Sequence, residues 1–156
     1  PFHGHTSVLV LDLSSAESRK FPGARLISHY FPNKYSNACL YVSYLMTGYA
    51  PRAFYVLQQD KENKCIFADE NEHKSNTWRT VQLQLDLSDG DPRFFLEAQY
   101  NPIPPPYNPG TPPQKAGYIA ISTFSFAFGN CEIPNQANNC FADIDRDNGA
   151  RPPTPN

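Results

Sequence analysis

The sequence has no apolar run long enough to cross a membrane. A helical span through the hydrocarbon core needs about 20 consecutive apolar residues, and no stretch approaches that length. The 156 residues also carry little net charge, −2 at pH 7, with 18% charged side chains. This balance gives no electrostatic footprint for nucleic acid. We therefore expect neither a transmembrane segment nor a nucleic-acid partner.

The chain also lacks a secretory leader and the motifs of nucleophilic catalysis. It begins at Pro1 without a charged and then apolar segment, which suggests a mature fragment or an excerpt. There is no Gly-x-Ser-x-Gly sequence. The His-Gly-His sequence at residues 3–5 has no suitably spaced glutamate after it, and residues 143–149 carry Asn148 where a calcium loop needs glycine. We predict no catalytic residues, no metal site and no cofactor.

Long helices are disfavoured because prolines and turn sequences interrupt the chain too often. Sixteen prolines, with several Asn-Pro, Pro-Gly and Asp-Gly pairs, separate short runs rich in β-branched and aromatic residues. The length fits one domain that buries roughly 70% of its unfolded surface without help from a cofactor. These features favour an all-β fold.

The clearest strand follows Trp78. The apolar residues at odd positions 81–87, which include Leu83 and Leu85, face one way, and the polar residues at even positions face the other. This alternation is typical of a sheet with one face in water. The sequence Ser-Asp-Gly-Asp-Pro at 88–92 then predicts a turn, with residues 93–100 returning as a hairpin partner.

A second long strand is predicted at residues 118–131, where the alternation changes phase. Ile119 and Ile121 share one parity, whereas the phenylalanines at 124, 126 and 128 share the other. A bulge at Ser122 or Thr123 would direct both sets into one core, and a strand covered on both faces is the alternative. The predicted core side chains are Trp78, Leu83, Leu85, Ile119, Ile121 and Phe126.

Five further strands complete the prediction, at residues 7–13, 24–28, 39–47, 53–59 and 65–67. About eight strands without helices favour an antiparallel β-sandwich, for which a jelly roll is a standard closure.

The segment 101–114 contains seven prolines and predicts an exposed loop, partly in the polyproline II conformation. Such a loop is already stiff, so ordering it on a partner costs little. Its candidate partner-binding residues are Ile103, Pro105, Tyr107 and Asn108, with an inert insertion as the alternative. Residues 141–156 are predicted to be a linker or flexible tail.

The four cysteines, Cys39, Cys65, Cys131 and Cys140, form an even set without a Cys-x-x-Cys pair. Zinc and redox motifs are therefore poorly supported, and disulfides in an extracellular setting are favoured. Four cysteines allow three pairings. The chain has no Asn-x-Ser/Thr sequence, so we predict that it is largely unglycosylated.

Taken in order, these signals resemble the MAM domain, the extracellular module of meprins, neuropilins and receptor-type tyrosine phosphatases. The resemblance rests on Gly-His-Thr at 4–6, Ala-Arg-Leu-Ile-Ser at 24–28, Cys39-Leu40 with Tyr44 and Gly48, Trp78, Phe-Leu-Glu-Ala at 95–98, Gly-Tyr-Ile-Ala-Ile at 117–121 and Phe-Gly-Asn-Cys at 128–131. It implies a two-sheet antiparallel jelly roll without enzymatic activity, used for adhesion, receptor oligomerisation or partner binding.

The resemblance also implies a disulfide pairing, and the sequence departs from the family pattern at two points. Cys39 and Cys131 occupy the bridged positions, which leaves Cys65 and Cys140 as an extra pair. The domain is expected to span residues 1–140 and to lack the family's usual first strand, so one sheet edge is expected to be open or differently covered. Carboxylates that take part in cation binding in some members are replaced, so no bound cation is expected. The rival hypothesis is a carbohydrate-binding sandwich, supported by tyrosine-rich loops.

Overall fold

A computed structural model describes residues 8–12, 23–70, 76–101, 106, 108–133 and 140. This part of the chain forms the strands β1 (Leu9–Asp12), β2 (Gly23–Ile27), β3 (Asn37–Thr47), β4 (Pro51–Gln59), β5 (Asn63–Asp69), β6 (Arg79–Asp86), β7 (Arg93–Tyr100) and β8 (Tyr118–Phe128). None of the residues in these ranges belongs to a helix that could cross a membrane.

The strands form two four-stranded sheets. The first sheet has the order β1-β8-β3-β6 and the second has the order β2-β7-β4-β5. Every pairing is antiparallel. Apolar side chains from both sheets, such as Leu40 and Phe54, form one core between them. The predicted two-sheet antiparallel sandwich is therefore confirmed.

The predicted hairpin between residues 81–87 and 93–100 is wrong. β6 pairs with β3 at the edge of the first sheet, whereas β7 lies between β2 and β4 in the second. Residues 88–92 carry the chain from one sheet to the other. β7 is apolar or buried on both faces and suits a central position, whereas β6 has one exposed polar face and suits an edge. Turn chemistry alone does not distinguish a hairpin from a crossing between sheets.

The change of phase in β8 is caused by a bulge at Ser122. Ser43 of β3 is opposite Thr123 and Tyr44 is opposite Ile121, so Ser122 is an extra residue without a partner in the ladder. Ile119 and Ile121 are buried, and the phenylalanines at 124 and 126 pack against the same core. The predicted bulge is confirmed.

The other predicted core residues differ in how far their side chains are buried. Leu83 and Leu85 are buried in the cluster between the sheets, and Phe126 is partly buried against it. The assignment of Trp78 to the core is wrong, because its side chain is 48% exposed. Trp78 precedes the first paired residue of β6, Arg79, and therefore lies in a connection beyond the end of the sheet.

Two disulfides join strands of the sandwich to the segment that follows β8. Cys39 of β3 is bonded to Cys131, just after β8, and Cys65 of β5 is bonded to Cys140. These are the two pairs that the family resemblance implies, and no cysteine is free. The backbone N–H of Cys131 donates to the side chain of Gln84 at 2.8 Å, which fixes the end of β8 against β6.

Candidate interaction surface

The first sheet has an exposed apolar edge at β1. Val8, just before the strand, and Leu9 and Val10 within it are between 40% and 51% exposed, whereas Leu11 packs against the core. β1 pairs with β8 on one side, and no other described strand pairs with its second side. Apolar side chains beside an open backbone edge provide a template for strand addition. We call Val8–Val10 the exposed edge.

The β2 edge of the second sheet differs in chemistry although its geometry is similar. β2 also has one strand neighbour, β7. Its outward side chain Arg25 pairs with Glu97 at 3.1 Å, and both side chains are 11% exposed. Ile27, at 45% exposure, is the large apolar side chain that β2 presents to solvent. The outward side chains of β2 therefore include a charged residue and do not form a continuous apolar run.

A row of aromatic rings reaches the surface at one end of the sandwich. Phe31 stacks on Phe126 at 4.7 Å, and Phe126 packs edge-on against Phe128 at 5.2 Å. Tyr35 then contacts Phe128 edge-on at 5.1 Å and is 64% exposed. The row continues inward through a contact of Phe31 with the fully buried Phe94. The surface rings therefore rest on a rigid aromatic support.

An open hollow lies beside these surface rings. Its lining residues are Tyr35, Ser36, Asn37, Phe128, Gly129 and Asn130. The N–H of Leu87 donates to the carbonyl of Ser36 at 2.9 Å, and that of Gly129 donates to the carbonyl of Asn37 at 3.0 Å. Both walls of the hollow are thus fixed by backbone hydrogen bonds to strands or their ends. We call this feature the aromatic hollow.

The outer face of the second sheet is closed. Tyr55, Leu57 and Phe95 are at most 2% exposed and form a second apolar cluster against which the disulfide of Cys65 and Cys140 packs. The guanidinium carbon of Arg25 lies 4.8 Å from the centre of the Phe95 ring, which adds a cation–π contact.

Polar groups at the opposite end of the sandwich join the two sheets. The hydroxyl of Tyr44 in β3 donates to the carboxylate of Asp69 in β5, which also pairs with Arg79 at 2.7 Å. Burial raises the pKa of Tyr44, and the hydrogen bond to Asp69 raises it further. Burial likewise raises the pKa of Tyr100 to about 12. These phenols stay neutral at physiological pH and serve packing.

The described ranges contain no group of three or more histidine, cysteine or acidic side chains that could hold a metal ion. The motifs at residues 3–5 and 143–149 lie outside the described residues. Asp86 has a lowered pKa because its carboxylate accepts the backbone N–H of Ser88. A turn hydrogen bond explains this shift without a catalytic role.

The predicted partner-binding loop is described only in part. Ile103, Pro105 and Tyr107 lie outside the described residues. Asn108 is exposed, and its carbonyl accepts hydrogen bonds from the backbone and the hydroxyl of Thr111. The role of this loop in partner binding therefore stays a prediction.

The family resemblance predicted that one sheet edge is open or differently covered, but sequence reasoning did not assign that edge to β1 and did not identify the aromatic hollow. Residues 7–13 are apolar at both parities, a pattern that indicates apolar contacts on both sides of the strand but gives no information about its place in a sheet. The hollow joins residues 35–37 to residues 128–130. No local signal connects segments that are so far apart in the chain.

Comparison with known families identifies one match. The family model of the MAM domain, meprin/A5/mu, matches residues 3–106, which is about two thirds of the chain and includes β1 to β7. No curated protein matches the chain.

Proposed function

The chain belongs to the MAM domain family, and we propose that it associates with other proteins through the exposed edge of its first sheet. MAM domains are extracellular modules of the adhesion type and are generally non-catalytic. Two disulfides are consistent with an oxidising environment. We assign this chain the same role, as a non-catalytic module of a larger secreted or membrane-anchored protein that binds a protein partner or a second copy of itself.

The observation that carries the proposal is the exposed edge. An incoming strand would hydrogen-bond to the side of β1 with which no described strand pairs, and would cover the side chains of Leu9 and Val10. Natural proteins usually protect such edges with charge, proline or a covering segment. Val8, Leu9 and Val10 carry no charge, which favours association over protection.

The second sheet offers a weaker alternative. Its outer face is already buried around Tyr55 and Phe95, and its β2 edge holds the ion pair of Arg25 and Glu97. Ile27 is exposed on β2, but the neighbouring outward side chain, Arg25, is charged, so this strand offers no continuous apolar run for a partner to cover. The first sheet is therefore the better docking side.

The proline-rich loop is retained as a second proposed contact. Its described part, residues 108–117, leads directly into Tyr118, whose partner in the ladder is Asp12 at the end of β1. The loop therefore leads into β8, the strand that pairs with β1. A partner held by β1 could extend onto this loop, so Tyr107→Ala is expected to weaken binding less than a change in β1 does.

The test compares the same charge substitution on the edge strands β1 and β2. The secreted domain is studied by sedimentation velocity over a range of concentrations and by capture of partners from extracellular protein. We expect Val10→Lys to weaken association by at least about tenfold, because a lysine on an edge strand opposes strand pairing. Ile27→Lys, at a site of similar exposure on β2, is the matched control and is expected to leave association unchanged.

The proposal fails if Val10→Lys associates as strongly as the unaltered domain. It also fails if the unaltered domain stays monomeric and captures no protein. Equal losses with Val10→Lys and Ile27→Lys would contradict the assignment to the first sheet, because the two edges would then be equivalent.

A further inference from the structure

The aromatic hollow has the chemistry of a small ligand site, and we propose that it binds a neutral sugar ring of a glycan. The hollow, with a volume of about 390 Å³, lies between the start of β3 and the end of β8. This volume is within the range of about 300–1,000 Å³ that is usual for small-molecule sites. The proposal is independent of protein association through the exposed edge.

Tyr35 provides the stacking surface. Its ring is 64% exposed, yet it is held edge-on against Phe128, which rests on Phe126. The C–H groups of a sugar ring are weakly positive and pack well on the negative face of an aromatic ring. A ring that is both exposed and supported from behind can therefore receive a sugar without first being ordered.

Three polar side chains surround this surface. Ser36, Asn37 and Asn130 line the hollow, and none of their side chains has a hydrogen-bond partner within the described part of the chain. An amide group both donates and accepts, and a hydroxyl does the same. This combination matches the vicinal hydroxyl groups of a sugar, each of which also donates and accepts.

The lining indicates a neutral ligand. None of the six lining residues is charged. Sulfated or sialylated sugars are usually recognised by arginine or lysine through charge-assisted hydrogen bonds. A protein partner would be expected to bury a larger apolar area than the rings of Tyr35 and Phe128 offer. The open shape instead suits the end or side of a glycan chain.

The test uses an array of neutral, sialylated and sulfated oligosaccharides with the intact secreted domain. We expect binding to neutral glycans, inhibited by the corresponding free sugar. Tyr35→Ala is expected to weaken this binding roughly tenfold, because it removes the stacking surface. Tyr30→Ala is the matched control. Tyr30 belongs to the same connection and is 54% exposed, but it lies over Arg93 and does not line the hollow.

A second variant keeps the test independent of any change in folding. Asn130 is exposed, so Asn130→Ala removes one polar contact to the sugar without altering the aromatic row. This variant is also expected to weaken glycan binding. Val10→Lys is expected to bind glycans normally, which separates this site from the exposed edge. Failure to bind any neutral glycan, preference for acidic glycans, or unchanged binding by Tyr35→Ala would overturn the proposal. Loss of protein capture by Tyr35→Ala without glycan binding would overturn it as well.

Discussion

The outer faces of the two sheets are built differently. In β6 of the first sheet, buried residues such as Leu83 alternate with the polar Gln82 and Gln84. In β7 of the second sheet, seven of the eight residues are buried, including the outward-facing Phe95 and Glu97. Along β7 the second sheet is therefore buried on both faces, whereas along β6 the first sheet separates the core from solvent.

This difference assigns separate roles to the two sheets. The second sheet carries a buried ion pair and the Cys65–Cys140 disulfide on its outer side, so changes there affect stability. The first sheet carries the exposed edge, and the aromatic hollow lies at its end, so we expect changes there to affect the proposed binding.

The largest expected effect concerns neighbouring residues that face opposite sides of one strand. Phe94 points into the main core and Phe95 into the outer cluster, and both are fully buried. We expect Phe94→Ala and Phe95→Ala each to lower the free energy of unfolding by about 3–5 kcal/mol. Chemical denaturation measures both values.

In β6, by contrast, we expect unequal stability losses for the neighbouring residues Leu83 and Gln84. Leu83→Ala is expected to cost about 2–5 kcal/mol, whereas Gln84→Ala, which removes surface hydrogen bonds, is expected to cost about 1 kcal/mol. A loss for Phe95→Ala as small as that for Gln84→Ala would contradict the closed outer face of the second sheet.

Removing the second disulfide is expected to have the next largest effect. The double variant Cys65→Ala/Cys140→Ala should lose about 2–5 kcal/mol of stability, because the unfolded chain gains freedom. Because this disulfide packs against Tyr55 and Phe95, hydrogen exchange should also increase in β4 and β7. In Cys39→Ala/Cys131→Ala the increase should instead occur in β3 and β8. Identical exchange patterns in the two variants would remove the distinction between the sheets.

The buried phenols between the sheets predict an alkaline effect of intermediate size. Burial raises the pKa of Tyr100 from about 10 to about 12, so the folded state favours the neutral phenol. This contribution to stability is complete below pH 10 and is lost as the pH rises towards 12. Tyr100→Phe should reduce the loss of stability over this range, as measured by thermal unfolding. An unchanged alkaline profile in this variant would contradict the burial of Tyr100.

The smallest expected effect is on acid unfolding and concerns Asp86, on the exposed face of the first sheet. The N–H of Ser88 donates to Asp86, which lowers the pKa of that carboxyl group from its usual 3.8. The resulting stability is present above pH 3.8 and is lost as the pH falls below it. Asp86→Asn should therefore shift the acid unfolding midpoint only slightly. A large shift would indicate that Asp86 is part of a buried network.

Strand pattern and bulge could be predicted because they depend on local alternation. The parity of Leu83 and Leu85 identified the inner face of β6. The change of phase in residues 118–128 predicted a bulge at Ser122 or Thr123, and the structure has it at Ser122. The two disulfide pairs followed from the resemblance to the family. The extent of the domain, residues 1–140, and the assignment of residues 141–156 to a linker or tail stay predictions.

Features that depend on which strands become neighbours could not be predicted. A five-residue turn fits either a hairpin or a crossing between sheets, so the sequence did not separate β6 from β7. Trp78 is apolar in sequence but lies beyond the end of its sheet. The aromatic hollow requires Tyr35 and Phe128 to meet through tertiary packing, which no local pattern reports.

Hydroxyl-radical footprinting of the native protein tests the difference between the two sheets most directly. Tyr35 is 64% exposed beside the first sheet, whereas Tyr55, on the outer face of the second sheet, is 2% exposed. We predict that Tyr55 and Phe95 are oxidised far more slowly than Tyr35, and that reduction of the disulfides speeds the oxidation of Tyr55 and Phe95. Oxidation of Tyr55 as fast as that of Tyr35 in the native protein would show that the outer face of the second sheet is open and would contradict the account.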